Sequence, residues 1–206
     1  NMCGDRYRFS AGLAAAIVAG KVSLLPPSPT PEVVRQIKAF APDVFCLTDG
    51  DQCSVDLPQL HYPAMAVTQS GACAIPQIDS RQRIAVVFTS GSTGTPLPHA
   101  KAWGALVGCV RAEASNLGLA RGTPWALIGT VPPQHMYGFE STVLMPWCSG
   151  SALSHAQPFY PADICAALAA VPAPCGWVSS PVHLPALLVS GLPPPALALV
   201  GQATTL

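Results

Sequence analysis

Apolar and polar residues recur along the chain with two different periods, which predict helices and strands in turn. A first helix is predicted from Ser10 to Gly20, because a capping serine and a terminal glycine flank an apolar run. A second is predicted from Pro31 to Ala39, where Thr30 is the N-cap and apolar residues share one helical face. Further helices are predicted over residues 100–119, 139–147, 161–171 and 182–189.

Short apolar runs between these helices are typical of buried strands. They cover residues 22–25, 42–49, 83–88, 124–129, 177–179 and 197–200, and a further short strand is predicted near 64–67. Because helices and strands take turns along the chain, we expect parallel crossover connections. The pattern therefore predicts an α/β fold with layered, mostly parallel sheets flanked by helices.

Composition limits the class of protein. The chain has 206 residues, of which 50% are hydrophobic and 10% are charged, so it can bury the core of one domain or a large piece of one. Its formal net charge is +0, with 10 basic and 10 acidic residues, which gives no indication of a nucleic-acid partner or an anionic membrane surface. The apolar run from Ser10 to Gly20 is too short to span a bilayer and lacks a clear signal-cleavage pattern. We expect no membrane span.

The eight cysteines show neither a Cys-x-x-Cys pair nor a metal-ligand spacing. Several of them lie inside apolar runs, which favours buried thiols in a reducing compartment, and we expect the cytoplasm. The scattered His61, His155 and His183 do not fall at helical i, i+4 spacing, so zinc is not expected. Glu113 and Glu140 are single acids and not a glycosidase pair.

Small residues crowd the segment from Thr89 to Pro96, between the predicted strand 83–88 and the predicted helix 100–119. Glycines allow close approach to a ligand, while hydroxyls, backbone N–H groups and a helix N-terminus can surround an anion. The segment is therefore a candidate phosphate loop, with a plain turn or linker as the alternative. It is neither a Walker A motif nor a nucleophile elbow. The candidate phosphate-binding residues are Thr89, Ser90, Gly91, Ser92, Thr93, Gly94 and, beyond the loop, Lys101.

The full string from Phe88 to Pro96, FTSGSTGTP, resembles the phosphate-binding signature of the adenylate-forming superfamily. That superfamily includes acyl- and aryl-CoA synthetases, the adenylation domains of peptide synthetases, and luciferases. Residues 131–138, VPPQHMYG, resemble the next core motif of the family, which implies that His135 lies beside the acyl or aryl pocket. The resemblance implies that residues 1–206 are part of a large AMP-binding N-terminal domain.

The resemblance also implies a reaction. Such enzymes activate a carboxylic acid with ATP, release pyrophosphate, and pass the acyl group to coenzyme A or to the phosphopantetheine of an acyl carrier protein. Mg²⁺ is expected to bind through the phosphates and not through a protein cage. The small carboxylic acid itself is not identified by the sequence.

Two features depart from the family pattern. Family loops often carry a lysine directly after the proline, but Leu97 stands there and Lys101 lies four residues further on, so the role of Lys101 stays open. His99 either caps the loop or faces solvent.

The family's Tyr-Gly-x-Thr-Glu motif and its mobile C-terminal domain are absent from these residues, so no catalytic residue is assigned and we expect the isolated chain to be inactive. The alternative is a catalytically inactive nucleotide-binding or structural remnant of a truncated gene.

Overall fold

The computed structural model describes residues 1–51, 53–64, 74–89, 97–119, 125–171, 174–192 and 199–202. The helices are α1 (Arg6–Val18), α2 (Pro31–Phe40), α3 (Trp103–Asn116), α4 (Met136–Phe139), α5 (Met145–Ser149), α6 (Pro161–Ala169) and α7 (His183–Ser190), and a π-helical turn at Glu140–Leu144 joins α4 to α5. The strands are β1 (Ser23–Leu25), β2 (Cys46–Thr48), β3 (Gln59–His61), β4 (Arg83–Thr89), β5 (Leu97–Ala102), β6 (Ala126–Gly129), β7 (Ala152–Leu153), β8 (Cys175–Ser179) and β9 (Leu199–Gln202).

The chain folds into two compact units. The first comprises Asn1–Gly4 and Arg8–Ala105, and the second comprises Asp5–Tyr7 and Leu106–Leu206. Both combine helices with sheets in which most neighbouring strands are parallel, so the predicted α/β class is confirmed. Among the described residues, no helix is both long enough and apolar enough to cross a membrane.

The first unit contains a three-stranded sheet in the order β1-β4-β5 and a separate parallel pair of β2 and β3. Strand β4 is parallel to β1 and antiparallel to β5. One side of the sheet buries Val86 and Phe88 against Ile37 of α2. Strand β4 is the central strand of this sheet, and five consecutive residues of it are buried. Continuous burial of this kind requires that both faces of the strand are covered.

The second unit contains a parallel sheet in the order β7-β6-β8-β9. Its core lies between the sheet and helices α6 and α7, where Ile128 and Trp177 pack with Ile164, Leu168 and Leu187. The helical spacing of Ile164 and Leu168 on α6 and the alternation of Cys175 and Trp177 on β8 place these side chains on the buried faces.

Several predicted boundaries are confirmed by local chemistry. The N–H of Val33 donates to the Oγ1 atom of Thr30 at 3.5 Å, so Thr30 is the N-cap of α2. Gly20 follows the end of α1 with a φ of 67°, a conformation that favours glycine. The predicted capping role of Ser10 is wrong, because α1 already begins at Arg6 and Ser10 is buried inside it.

The predicted helix over 100–119 is also wrong at its start. Residues Leu97–Ala102 form β5, and α3 begins only at Trp103. Strand β5 lies at an edge of the described sheet, where Pro98 is tolerated opposite Phe88. The short strands β3 and β7 were not predicted, and most of the strand predicted near 64–67 lies outside the described residues.

Candidate functional site

Strands β4 and β5 form a hairpin whose last directly paired residues are Thr89 and Leu97. The chain between them, residues 90–96, carries most of the predicted phosphate loop, namely Ser90, Gly91, Ser92, Thr93 and Gly94. These five residues lie outside the described residues, and their assignment stays a prediction. What the structure does describe is the stem of the hairpin from which the loop starts and to which it returns.

The antiparallel stem changes the electrostatic argument made from the sequence. A helix directly after the loop would have turned its positive N-terminal end towards a bound anion. Because β5 follows the loop and α3 begins only at Trp103, that predicted contribution from a helix is wrong. The remaining candidates in this hairpin to contact an anion are side chains of the stem and the loop's own N–H groups.

His99 is the ionisable side chain that the stem brings to the base of the loop. It pairs with Val87, two residues before Thr89, and paired residues of antiparallel strands share a face. Its Nε2 atom lies 3.2 Å from the Oγ1 atom of Thr89, within hydrogen-bond distance. The side chain of His99 is also exposed, so it contacts Thr89 and faces solvent at the same time.

Lys101 lies further down the stem. It pairs with Ala85, which precedes Thr89 by four residues on β4. At the usual rise of a strand, that separation is about 13 Å along the strand direction. The structure therefore brings His99, and not Lys101, next to Thr89, while a phosphate contact by Lys101 stays a prediction.

His135 belongs to the second unit, where it precedes α4. Its carbonyl oxygen accepts a hydrogen bond from the N–H of Phe139 at 2.7 Å, and its side chain is exposed. The turn before it packs tightly on the helix, because a Cβ atom added at Gly138 would lie 2.1 Å from the carbonyl oxygen of Pro132. Glycine at position 138 thus allows the segment that carries His135 to approach α4.

A buried arginine fixes the chain that leads to this turn. The Arg6 guanidinium donates from Nη2 to the carbonyl oxygens of Gly129 and Val131, each at 3.0 Å, and from Nη1 to that of Ala156 at 2.7 Å. Burial lowers the pKa of Arg6 to about 10, so it remains charged at neutral pH. The sequence offered no sign of this role, since Arg6 precedes an apolar helix like an ordinary surface residue.

A small cavity of about 20 Å³ lies beside the same helix, which is enough space for one water molecule. Its polar lining comes from Glu113 on α3, Tyr137 on α4 and Ser141 in the π-helical turn. The rest of its wall is mostly apolar: Leu117, Leu119, Leu127, Met145, Gly176, Trp177 and Val178. The cavity therefore has one polar side and is otherwise enclosed by mainly apolar side chains.

The three polar groups of the cavity are coupled. The hydroxyl of Ser141 donates to Oε1 of Glu113 at 3.5 Å. Burial raises the pKa of Glu113, and the Ser141 hydrogen bond opposes that shift. Burial, with a smaller contribution from the Glu113 charge, raises the pKa of Tyr137 to about 12. At neutral pH Tyr137 therefore keeps its proton and can donate a hydrogen bond.

Sequence reasoning missed this group, treating Glu113 as an isolated acid. Its members come from distant segments, and the π-helical turn, which sets the direction of Ser141, has no clear sequence signal. The i, i+4 spacing of Tyr137 and Ser141 was the available hint that both lie on one helical face. π-Helical turns are frequent at functional sites.

Within the described ranges, no group of three or more His, Cys, Asp or Glu side chains could hold a metal ion.

Two curated proteins are similar to part of this chain. The 4-coumarate–CoA ligase of Halorhodospira halophila is 44% identical over 72 residues, which are 34% of this chain and 17% of that protein. The 4-coumarate–CoA ligase of Rhodobacter capsulatus is 42% identical over 69 residues, which are 34% of this chain and 18% of that protein. The chain therefore resembles CoA ligases of the adenylate-forming superfamily over 34% of its length.

A likeness of fold extends over nearly the whole chain. The o-succinylbenzoate coenzyme A synthetase of Bacillus subtilis, solved with ATP and magnesium ion, matches with a TM-score of 0.73 and 16% identity. That match covers 98% of this chain and 55% of the solved one. No family model matches the sequence. The chain thus corresponds to well under two thirds of each of these adenylate-forming enzymes.

Proposed function

We propose that this chain is part of the AMP-binding N-terminal domain of an ATP-dependent, carboxylic acid-activating ligase. Such an enzyme forms an acyl- or aryl-adenylate and then a thioester on coenzyme A or on a carrier protein. The observation that carries the proposal is the string FTSGSTGTP at the end of a β-hairpin stem, in a chain that resembles two CoA ligases. Cysteines that form no disulfide among the described residues fit a cytoplasmic enzyme.

The phosphate side of the site is assigned to the hairpin. The hydroxyls of Ser90, Ser92 and Thr93 and the N–H groups of Gly91 and Gly94 are the donors for the β- and γ-phosphates. The described stem fits an anion at its end, because it presents the Thr89 hydroxyl and the His99 imidazole there and no carboxylate lies on β4 or β5. A bound Mg²⁺ would be held mainly by the phosphates.

The acid side of the site is assigned to the segment around His135. The acid's carboxylate and the triphosphate repel each other, so the protein must neutralise charge and align both reactants. The Arg6 contacts to Gly129 and Val131 hold the backbone that leads into this segment, which limits how far His135 can move. Tyr137, protonated at neutral pH, can donate a hydrogen bond from α4, and we assign it to the incoming acid.

The experiment that tests the proposal is Mg·ATP binding by the chain, measured by calorimetry before and after Gly94→Val. Valine restricts the backbone and fills the space that a phosphate oxygen needs, so binding should weaken by at least about tenfold, or 1.4 kcal/mol. Gly108→Val, on the exposed face of α3 with nothing within 4 Å of an added Cβ, is the matched control. If Gly94→Val binds Mg·ATP like the control in a folded protein, the loop is only a turn.

A second arm tests the acid side. In a protein that joins this chain to the remainder of such a ligase, acid-dependent exchange of pyrophosphate into ATP should appear with a subset of aliphatic and aromatic acids, since adenylate formation is reversible. The isolated 206 residues should stay at background. His135→Ala should raise KM for the acid and leave KM for ATP nearly unchanged. An equal rise in both constants would place His135 outside the acid pocket.

A further inference from the structure

Two cysteines of the first unit lie in direct sulfur contact. Cys46 is the first residue of β2, and Cys53 follows that strand in the connection to β3. Their Sγ atoms are 3.8 Å apart, and both side chains pack in the cluster that holds Val34 and Val55. Neither cysteine has a role in the proposed acid activation.

We propose that Cys46 and Cys53 are a redox-active thiol pair that forms a reversible disulfide by exchange with a low-molecular-weight disulfide of the glutathione class. A disulfide bond is about 2.05 Å long, so the two sulfurs must approach each other from their contact distance. The connection from Thr48 to Cys53 contains Gly50, which has access to more backbone conformations than other residues and so favours this approach.

The exposure of the two thiols sets the order of events. Cys53 is partly exposed, whereas Cys46 is only 2% exposed and cannot be reached by a molecule as large as glutathione. The Cys53 thiol loses its proton to solvent and attacks one sulfur of glutathione disulfide, so that a Cys53–glutathione bond forms and one glutathione thiolate leaves and takes up a proton.

The second step closes the protein disulfide. The Cys46 thiol loses its proton to solvent and attacks the Sγ atom of Cys53, and the second glutathione leaves as a thiolate that takes up a proton. The two cysteines are oxidised together by two electrons, and one glutathione disulfide is reduced to two glutathione molecules. Burial, with a smaller contribution from the hydrogen bond between the two thiols, raises the pKa of Cys46 to about 11, so closure should accelerate as the pH rises.

Cys109 is a comparison within the same chain. It is exposed on α3, and in the part of the chain that the structure describes no second thiol touches it. Glutathione disulfide should therefore leave Cys109 with a bound glutathione that is not displaced. If Cys46 and Cys53 form a disulfide while Cys109 keeps its glutathione, the difference is due to the short distance between the two sulfurs and not to general thiol reactivity.

The test uses the full 206-residue chain, glutathione disulfide at neutral pH, an acid quench and digestion with a protease that cleaves before aspartate. Because Asp43, Asp49, Asp51 and Asp56 bracket the two cysteines, the product should contain residues 43–48 linked to residues 51–55. That linked pair should disappear after treatment with a thiol reductant. Repeating the reaction in concentrated urea should spread the linkage over other cysteines, including Cys73.

Two variants separate the steps. Cys46→Ala should keep one glutathione on Cys53, because the thiol that displaces it is gone, and Cys53→Ser should leave Cys46 unmodified. Retention of glutathione on Cys53 in the wild-type chain, or linkage of either cysteine to another partner in the native protein, would overturn the proposal. The readout needs no nucleotide, so it stands or fails independently of the ATP-binding experiment.

Discussion

The Nε2 atom of His99 lies 3.2 Å from the Oγ1 atom of Thr89, so an imidazole and a hydroxyl meet at the base of the predicted phosphate loop. The contact exists because β5 runs antiparallel to β4 and pairs His99 with Val87. It gives the loop a side-chain contact in the region where Leu97 replaces the lysine common in the family's motif.

His99→Ala should therefore weaken Mg·ATP binding, by roughly 0.5–1.5 kcal/mol or up to about tenfold, because one hydrogen bond to the first loop residue is lost. His99→Gln, which keeps a side-chain donor and acceptor, should recover most of that loss. Lys101→Ala should cost less than His99→Ala, since Lys101 pairs with Ala85 further down the stem. Calorimetric titration of the three variants with Mg·ATP measures their order of affinity. A larger loss of affinity in Lys101→Ala than in His99→Ala would contradict this prediction.

The turn before α4 should be highly sensitive to a single methyl group. In Gly138→Ala the added Cβ would lie 2.1 Å from the Pro132 carbonyl oxygen, so the backbone must shift, at a cost of about 2–3 kcal/mol in the free energy of unfolding. Gly108→Ala, in an open position on α3, should instead stabilise by up to about 1 kcal/mol. Urea unfolding of both variants measures the difference, and equal stabilities would refute the close packing.

Arg6 should behave as a structural cation. Replacing it with methionine removes the donors to Gly129, Val131 and Ala156 and leaves buried carbonyl groups unsatisfied, so the loss should be at least about 3 kcal/mol. The control is Arg35→Met, because Arg35 makes an exposed pair with Glu32 on α2, and losing such a pair should hardly change the stability. A mild effect of Arg6→Met would mean that the carbonyl groups find other donors.

Stability should depend on pH through Glu113. Its pKa is raised in the folded protein by burial, so the folded state holds the proton more tightly than the unfolded state does. That stabilisation is complete below the ordinary pKa near 4.5 and is lost as the pH rises through the raised value. The melting temperature of Glu113→Gln, compared with that of the wild type, should accordingly rise as the pH increases from 4 to 7. If the difference in melting temperature between the two proteins does not change with pH, Glu113 does not cause the pH dependence.

The sequence predicted elements whose signals are local. Strands β4, β6 and β8 were visible as continuous apolar runs, and α2 was visible from its Thr30 cap and the proline that follows. Strand β5 was missed because its residues are mostly exposed, and only pairing with β4 makes them a strand. The short β3 and β7 likewise exist through their neighbours and have little pattern of their own.

For the candidate site, too, the sequence predicted the local features and missed those that depend on distant residues. The string of small residues pointed to phosphate, but the Thr89–His99 contact depends on strand direction and register, which one sequence does not reveal. The group of Glu113, Tyr137 and Ser141 depends on a π-helical turn and on the packing of α3 beside it. The buried role of Arg6 depends on carbonyl groups more than a hundred positions away in the chain.

The mixed pairing of β4 also sets an order of folding events. Its contacts with β5 join residues close in sequence, such as Thr89 and Leu97, whereas its contacts with β1 join Ser23 to Ala85. Closing the longer loop, roughly eight times the length of the shorter, costs about 2 kcal/mol more in chain entropy. The hairpin should therefore assemble on the microsecond scale and offer its free edge as a template on which β1 docks later. The segment assigned to nucleotide binding is thus expected to be among the earliest parts of the first unit to acquire its native shape.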